Sequence, residues 1–454
     1  MKILPHIVFG IAASAFVILS VIEGCKPDLS NPDPQSGDAN FTKVVAVGGD
    51  FIAGYQDGAL FEDGQKKSLP ALLCRQFELA GGGTFNQNYI NAGSSLGWNS
   101  KPWESWFIQQ SHMGWRTDCE GVVSLGPVKD SLSVSAAAAL YANTFNNTNC
   151  NFGIPFATTA ELLSPALGNA PNGNTNPYYF RIASQPGVST PINDAVTANP
   201  TFFTAWLGME DIFEYARRGG EGTTIMPSAQ FSLYLDTILS ALTANGAKGV
   251  IANIPDFREF PYYTLVPWDG AELTQSKADS LNDIYAISLP NIHFHEGANG
   301  FMINDVNDPT GYRQIRRNEY ITLSVPLDSM KCNFMGILFE VLPDRYVLDS
   351  TECTYIDRMI SEYNSVIAQK AAQYGLAFAD MHSYFRSVTA GIVWDGVAFN
   401  SSFVSGGFFS LDGYHPNQKG YALIANEFIY AINAKYNATI PTLNCFDCNG
   451  ILFP

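Results

Sequence analysis

Four short apolar runs alternate with amphipathic helical patterns along this chain of 454 residues, and no other feature constrains its fold as strongly. The runs predict buried parallel strands, because strands covered on both faces are apolar throughout. They lie at 43–47, 202–207, 249–254 and 376–380. Helices are predicted near 68–80, over 229–244 and 355–374, and roughly over 417–434. The sequence therefore predicts an α/β fold, a three-layer parallel sheet with helices on both faces.

Two long segments, 81–200 and 255–350, are rich in Gly, Asn and Pro and only weakly periodic. We expect them to be loop insertions over the carboxyl edge of the sheet, where α/β proteins bind ligands. The tryptophans of the first insertion could stack on a sugar, although such residues more often form the core of a long insertion. They are Trp98, Trp103, Trp106 and Trp115.

The amino-terminal residues carry the pattern of an exported lipoprotein. A 16-residue apolar run over 7–22 is short for a membrane span and typical of a signal-peptide core. It leads into Gly24 and Cys25, which are similar to the end of a bacterial lipobox. We predict a signal peptide over 1–24, lipidation of Cys25, and a Pro- and Asp-rich tether over 25–42 before the domain at 43–454. The alternative is an uncleaved amino-terminal anchor.

These features predict a protein held in the cell envelope by a lipid anchor in the outer membrane. The domain could face either the periplasm or the exterior. The chain has 25 Lys+Arg against 42 Asp+Glu, a net charge of −17, and no basic cluster. Nucleic acid is therefore not expected as a partner, because phosphate binding requires clustered cations.

An exported chain can form disulfides, and eight cysteines are present. Cys74 sits in a helical pattern and is predicted to be free. The connectivity of the other cysteines does not follow from the sequence. As a working expectation, we pair those that lie near each other in the sequence. The expected pairs are Cys119–Cys150, Cys332–Cys353 and Cys445–Cys448.

The segment 410–416 (SLDGYHP), followed by 420–426 (GYALIAN), resembles the last conserved block of the SGNH/GDSL hydrolase family. The chain is similar to long lipoprotein members from Bacteroidetes-type bacteria over roughly 41–454. In that family the Asp-x-x-His block supplies the catalytic base and the acid that orients it, and Asp412 and His415 match those positions. The chemistry requires this spacing, because one ring nitrogen of His must face the nucleophile while a carboxylate holds the other.

The other three blocks of this resemblance lack the family's reactive residues. Asp50 stands at the nucleophilic Ser position, within 48–54 (GGDFIAG). Phe156 stands at a Gly, and Glu210 at an Asn, which in the family donate hydrogen bonds to the oxyanion. Serine-dependent acyl transfer needs a hydroxyl nucleophile and donors for a developing negative charge. Only Ser94 and Ser95 are plausible substitutes for the missing nucleophile.

We therefore expect a catalytically degenerate, hydrolase-like lipoprotein that acts as a binding or scaffold component. Its partner would be a glycan, a lipid or an envelope protein, and no cofactor is expected. One alternative is an active ester hydrolase (an esterase, deacetylase or lipase) acting on acylated glycans or lipids. A second is nucleophilic attack by Asp50 on an alkyl carbon. A third is a divalent-metal site, whose ligands would be Asp50, Glu210, Asp412 and His415.

Overall fold

A computed structural model describes residues 33–98, 107–129, 142–170, 176–338 and 340–454 of the chain. The chain divides into Met1–Pro34, nearly all of it undescribed, and one compact unit, Gln35–Pro454. The predicted signal peptide, Cys25, Trp103, Trp106 and the side chain of Trp98 lie outside the described residues. No helix within the described residues is long and apolar enough to cross a membrane.

The described residues form short strands and helices, numbered in chain order. The strands are β1 Val44–Gly48, β2 Leu60–Phe61, β3 Ser95–Trp98, β4 Phe107–Ile108, β5 His112–Thr117, β6 Val123–Val128, β7 Asn151–Gly153, β8 Phe202–Trp206, β9 Lys248–Ala252, β10 Ala271–Leu273, β11 Gly297–Asn299, β12 Met302–Asn304, β13 Tyr312–Gln314, β14 Tyr320–Ile321, β15 Val347–Leu348, β16 Ala377–Ala379, β17 Ile392–Trp394 and β18 Val397–Phe399. The α-helices are α1 Asp50–Ala53, α2 Glu62–Lys66, α3 Leu69–Leu79, α4 Tyr178–Ile182, α5 Pro191–Thr197, α6 Met209–Arg217, α7 Ser228–Thr243, α8 Pro261–Thr264, α9 Gln275–Tyr285, α10 Leu327–Cys332, α11 Ser350–Gln373, α12 Met381–Ala390 and α13 Gln418–Tyr436. Short 3₁₀ segments lie at Glu161–Leu163, Pro165–Gly168, Phe257–Glu259, Asp344–Tyr346 and Cys445–Asp447.

The central sheet, within the described residues, has five parallel strands in the order β16-β9-β8-β1-β7. Helix α13 packs against α3, and α11 packs against α7. The predicted three-layer α/β fold is confirmed. The four predicted strands correspond to β1, β8, β9 and β16, and the four predicted helices to α3, α7, α11 and α13.

The fifth strand, β7, is not predicted by an apolar run. It is an edge strand of three residues, Asn151–Gly153, and begins with a polar side chain. Asn151 is nonetheless buried, because its amide donates hydrogen bonds to the carbonyl of Ile52 (3.2 Å) and to the side chain of Gln87 (2.9 Å). A short strand whose polar residue is satisfied in this way leaves no hydrophobic pattern.

Helix α11 begins five residues earlier than its apolar pattern predicts. Asp349 caps the helix by accepting from the backbone of Glu352 at 2.8 Å, and the Glu352 side chain accepts in return from the backbone of Asp349 at 2.8 Å. This reciprocal capping satisfies two amide groups that would otherwise lack a partner and so extends the helix.

The folded unit also begins earlier than the predicted boundary between tether and domain. Phe41 is buried, and its ring stacks on Phe77 with centroids 4.2 Å apart. The backbone amide of Asp38 donates to the carbonyl of Tyr436 at 2.7 Å. Residues 35–42 therefore pack on the domain, because one buried aromatic ring outweighs the polar composition around it.

The two insertions are structured rather than open loops. The first contains the antiparallel hairpin β5–β6. The second builds small hydrophobic clusters of its own, in which Ile303, Ile321 and Leu342 are almost fully buried. Because the strands of the second insertion have only two or three residues, neither helical nor alternating periodicity can be detected in its sequence.

A disulfide between Cys119 and Cys332 joins the two insertions across 213 residues of sequence. It connects the turn of the β5–β6 hairpin to the end of α10. The other described cysteines are free and buried, as predicted for Cys74. The expected pairs Cys119–Cys150, Cys332–Cys353 and Cys445–Cys448 are therefore wrong. Tertiary contact between the insertions, and not nearness in sequence, determines the pairing.

Candidate active site

The loop after β1 places Asp50 at the carboxyl end of the sheet. A side chain at Gly48 would bring its Cβ within 2.4 Å of the carbonyl oxygen of Trp206, so only glycine fits where β1 meets β8. Asp50 then opens α1 and is fully buried. The turn therefore directs a carboxylate to the position that the family resemblance gives to a nucleophile.

The imidazole of His415 lies between two carboxylates. Its Nδ1 is 2.8 Å from Oδ2 of Asp412, and its Nε2 is 2.8 Å from Oδ2 of Asp50. His415 is 4% exposed, so these contacts are shielded from water. The structure thus brings Asp50, Asp412 and His415 into one linear array, in which both ring nitrogens are engaged.

Backbone amides and a hydroxyl fix the position of Asp412. Its Oδ1 accepts from the amides of Tyr414 (2.9 Å) and His415 (2.8 Å) and from the hydroxyl of Ser410 (3.0 Å). Its Oδ2 accepts from the amide of Gly58 at 2.9 Å in addition to the imidazole. This carboxylate therefore orients His415 and has little freedom to rotate.

The charges around His415 favour its protonated form. Burial lowers the pKa of the imidazole, but the two neighbouring carboxylates outweigh burial and raise the pKa to about 10. Burial would raise the pKa of Asp50 and of Asp412, but the imidazolium and its hydrogen bonds hold both values below the ordinary range. At neutral pH the array is therefore an ion triad, and both ring N–H groups donate.

Glu210 and Arg217 complete the buried charges. Both lie on α6, and Arg217 donates to both carboxylate oxygens of Glu210, at 2.5 and 3.3 Å. Burial raises the pKa of Glu210 to about 8; Arg217 opposes the shift, and Asp50 adds to it. A protonated Glu210 can donate the side-chain hydrogen bond that it shares with Asp50. The charges of Asp50, Asp412, His415 and Arg217 then sum to zero, as burial requires.

Phe156 adopts the backbone conformation of a glycine. Its φ is +61°, in the left-handed region that side chains other than Gly, Asn and Asp rarely occupy. Its ring packs edge-on to Tyr55 at 5.2 Å, and the guanidinium of Arg217 lies 5.5 Å from the ring centroid. The chain therefore holds Phe156 in a backbone conformation typical of glycine and fills the space beside it with an aromatic ring.

A cleft of about 770 Å³ opens above the triad. Asp412 and His415 line it, whereas Asp50 and Glu210 are buried and do not. Both insertions contribute to the wall, as expected for segments over the carboxyl edge of the sheet. The apolar and aromatic wall residues include Tyr55, Met113, Leu125, Phe156, Tyr262, Leu323, Phe403 and Tyr414.

The substitute serines do not reach this cleft. Neither Ser94 nor Ser95 lines it, and Ser95 belongs to β3, where its hydroxyl accepts from the amide of Gln110 at 2.9 Å. Ser324 does line the cleft, but its hydroxyl is 2.7 Å from that of Thr322. The hypothesis that Ser94 or Ser95 replaces the nucleophile is therefore wrong.

The geometry also contradicts the metal-site hypothesis. No group of three His, Cys, Asp or Glu residues in the described part of the chain is arranged to hold an ion. The imidazole of His415 separates Asp412 from Asp50, and Arg217 donates to both oxygens of Glu210. These carboxylates have cationic partners already and do not converge on a common point.

The sequence did not point to Arg217 as part of the site. It lies seven residues after Glu210 on α6, a spacing of about two helical turns that places both side chains on one face. Asp57 was missed as well: it accepts from the amide of Leu411 at 2.9 Å, and its own amide donates to Ser410. The spacing of Glu210 and Arg217 could have been noticed in the sequence. The contacts of Asp57 could not, because they join residues more than 350 positions apart.

Together, the parallel sheet and the buried carboxylate–histidine pair at its carboxyl edge define a hydrolase-type site on an α/β fold. The family model described as GDSL-like Lipase/Acylhydrolase matches residues 44–428, and the chain belongs to this family. The resemblance drawn from the sequence blocks is thereby confirmed.

Comparison with solved structures finds a protein described as a GDSL-like lipase from Parabacteroides merdae ATCC 43184. It is 11% identical, covers 88% of this chain and 99% of its own, and has a TM-score of 0.34. A likeness at this score carries no argument about the site. No curated protein is a significant match to the chain.

Proposed function

We propose that this protein is a catalytically degenerate GDSL-type hydrolase, which binds a ligand in its cleft without cleaving acyl esters. The observation that carries the proposal is the contact of 2.8 Å between Oδ2 of Asp50 and Nε2 of His415. In an active triad that nitrogen removes a proton from a serine hydroxyl. In this protein it donates to a carboxylate, and an imidazolium with two donated N–H groups has no lone pair to act as a base.

The oxyanion side of the site supports the same proposal. The two positions that would stabilise a developing negative charge carry Phe156 and Glu210. The first fills space beside the carbonyl position, and the second offers a carboxyl group instead of an amide donor. Loss of one oxyanion donor typically raises the barrier by about 2.7–4 kcal/mol, so these two changes together remove most of what acyl transfer requires.

Attack by Asp50 on an alkyl carbon is disfavoured by burial and by the partners of its oxygens. The side chain is fully buried and does not line the cleft. Its Oδ2 accepts from His415, and its Oδ1 is 3.0 Å from the amide of Phe51. A nucleophile needs an open line of approach to its carbon, which this carboxylate does not have.

The test of the proposal is hydrolysis of short-chain aryl esters by the purified wild-type protein. We expect no turnover above the uncatalysed rate, because no hydroxyl lies at the position that His415 addresses. The matched control is His415→Ala, which removes the base. Wild-type turnover that disappears in this variant would contradict the proposal and favour an active ester hydrolase acting on acylated glycans or lipids.

We further propose that the protein works in the cell envelope, anchored in the outer membrane through lipidated Cys25. The supporting pattern is the apolar run over 7–22 that leads into Gly24-Cys25, followed by polar residues suited to a tether. A glycan, a lipid or an envelope protein would then be the partner. Changing Cys25 to Ser should move the protein from the membrane to the soluble fraction; unchanged membrane association would contradict lipidation.

A further inference from the structure

The cleft above the triad is cationic, although the chain as a whole is acidic. Besides the imidazolium of His415, its charged lining consists of four basic side chains and two carboxylates. The basic residues are Arg116, Lys129, Arg217 and Arg218, and the acidic residues are Glu214 and Asp412. The whole chain has 25 basic residues against 42 acidic ones. Because the overall composition would favour acidic walls, this local excess of positive charge indicates a ligand that carries negative charge.

Partners within the protein account for part of this charge. Arg217 is paired with Glu210, and Arg218 donates to Glu214 at 2.8 Å. Arg116 and Lys129 differ: they are exposed, and neither has an ion-pair partner among the residues that the structure describes. The guanidinium of Arg116 lies over Gly126 of the adjacent strand, where no side chain intervenes. Two unpaired cations thus line a concave surface.

The cations lie on the β5–β6 hairpin and directly after it, and the turn of this hairpin is fastened to the second insertion. The Cys119–Cys332 disulfide joins the turn to α10. Lys331 reinforces the link through ion pairs with Asp118 (2.5 Å) and Glu120 (3.1 Å). A wall held in this way keeps the backbone that carries the two cations in place, so ligand binding has to order only their side chains and not the hairpin.

The aromatic surface around the cations favours a sugar ring as the ligand's scaffold. Tyr55, Tyr262 and Phe403 line the cleft. Tyr55 is buried, whereas the rings of Tyr262 and Phe403 are partly exposed in the cleft wall. A partly exposed aromatic ring in a cleft offers a flat face to the C–H face of a pyranose. A concave site also suits a chain of sugars better than the flat surface of a bilayer.

We propose that the cleft binds an anionic oligosaccharide, whose carboxylates contact Arg116 and Lys129 while a sugar ring stacks on Phe403. This inference rests on the proposed function, since it names the ligand of a site that binds without cleaving. The hairpin cations supply charge selectivity, and the aromatic face supplies selectivity for carbohydrate over other anions.

The test is isothermal titration of the purified full-length protein, in a neutral detergent, with unesterified oligogalacturonide and with a neutral galacto-oligosaccharide of equal length. We expect the acidic sugar to bind at least about tenfold more tightly, and less tightly as salt is added. Arg116→Gln combined with Lys129→Gln should weaken acidic-sugar binding by about tenfold or more, and Phe403→Ala by about fivefold or more.

The matched control is Arg75→Gln combined with Lys435→Gln, which makes the same charge change at exposed positions outside the cleft. This control should bind like the wild type. Equal affinity for the acidic and neutral sugars, no binding of either, or full binding by the Arg116/Lys129 variant would overturn the proposal. Tighter binding of monomeric dihexanoyl phosphatidylglycerol, lost in that same variant, would overturn it in favour of an anionic lipid.

Because the oligogalacturonide carries no ester, its binding is independent of hydrolysis. Ester turnover by the wild type would contradict the degenerate-hydrolase proposal and leave anion binding intact. Failure of oligogalacturonide binding with no ester turnover would contradict only the ligand assignment.

Discussion

Changing Asp50 to Ser alone should leave this protein with at most a trace of esterase activity. The substitution supplies a hydroxyl within reach of His415, and removing one of the two flanking carboxylates lowers the pKa of the imidazole, so that it can act as a base. Glu210 and Phe156 would remain at the oxyanion positions. Without oxyanion donors the barrier stays higher by about 2.7–4 kcal/mol for each one lost, or about 10²–10³ in rate.

The triple variant Asp50→Ser, Phe156→Gly, Glu210→Asn should be the first in the series to hydrolyse aryl esters measurably. Gly fits the left-handed backbone at position 156 without strain, and its amide becomes accessible to the carbonyl position. Asn at position 210 supplies an amide donor, although it leaves Arg217 without its carboxylate partner. We expect a gain of about 10² or more over the single variant, measured as initial rates with short-chain aryl esters.

The control for this series is the same triple variant with His415→Ala, which should abolish the recovered activity. Equal activity in the single and triple variants would contradict the role assigned to Phe156 and Glu210. Activity that survives the loss of His415 would show that the recovered reaction does not use the triad.

Removal of His415 should have the largest effect on stability of any single change at the site. In His415→Ala the buried carboxylates of Asp50 and Asp412 lose their counter-charge, which typically costs about 3–5 kcal/mol of the free energy of unfolding. Urea unfolding at about pH 6 measures the difference. The matched control is His293→Ala, which removes an exposed imidazole and should unfold like the wild type.

The pH dependence of stability follows from the shifted pKa values. The pKa of His415 is raised from 6.5 to about 10, so its contribution is complete below about pH 6.5 and is lost as the pH rises toward 10. The raised pKa of Glu210, about 8, adds to this loss between about pH 4.5 and 8. The lowered values of Asp50 and Asp412 give a contribution that is present above about pH 3.8 and lost below it.

The wild type should therefore be most stable near pH 4 to 4.5, should decline above that as the Glu210 contribution is lost, and should decline further above pH 6.5 as the His415 contribution is lost, in all by on the order of a few kcal/mol toward pH 10. His415→Ala should lack the part of the decline that lies between about pH 8 and 10, while His293→Ala should keep it. A wild-type curve that stays flat from pH 6.5 to 10 would contradict a protonated imidazole in the folded protein.

The sequence predicted the layers of this fold because four of its strands are buried on both faces and therefore apolar throughout. It did not predict β7, where a buried Asn hydrogen-bonds to Gln87 and Ile52 in place of apolar packing. Nor did it predict the Cys119–Cys332 disulfide, which depends on two insertions meeting in space. Local patterns report local burial, and contacts across hundreds of residues leave no trace in a single sequence.

At the site, too, local sequence patterns predicted some contacts, while contacts between distant residues could not be predicted. The block from Ser410 to Pro416 placed Asp412 and His415 together because their spacing is local, and family blocks brought Asp50 and Glu210 near them. The ionic balance could not be inferred in this way. It depends on Arg217, and on the burial that makes each of these charges require a partner.

The protonation state of His415 tests the central proposal most directly. Nitrogen-15 NMR of the histidine ring in the wild-type protein, with His415→Ala to assign the signals, reports whether each ring nitrogen carries a proton. We predict that both nitrogens of His415 are protonated from about pH 5 to 8 and that the ring titrates near pH 10. A His415 ring that titrates near its ordinary pKa of 6.5, with Nε2 free of a proton at about pH 7.5, would contradict the ion triad and restore His415 as a possible base.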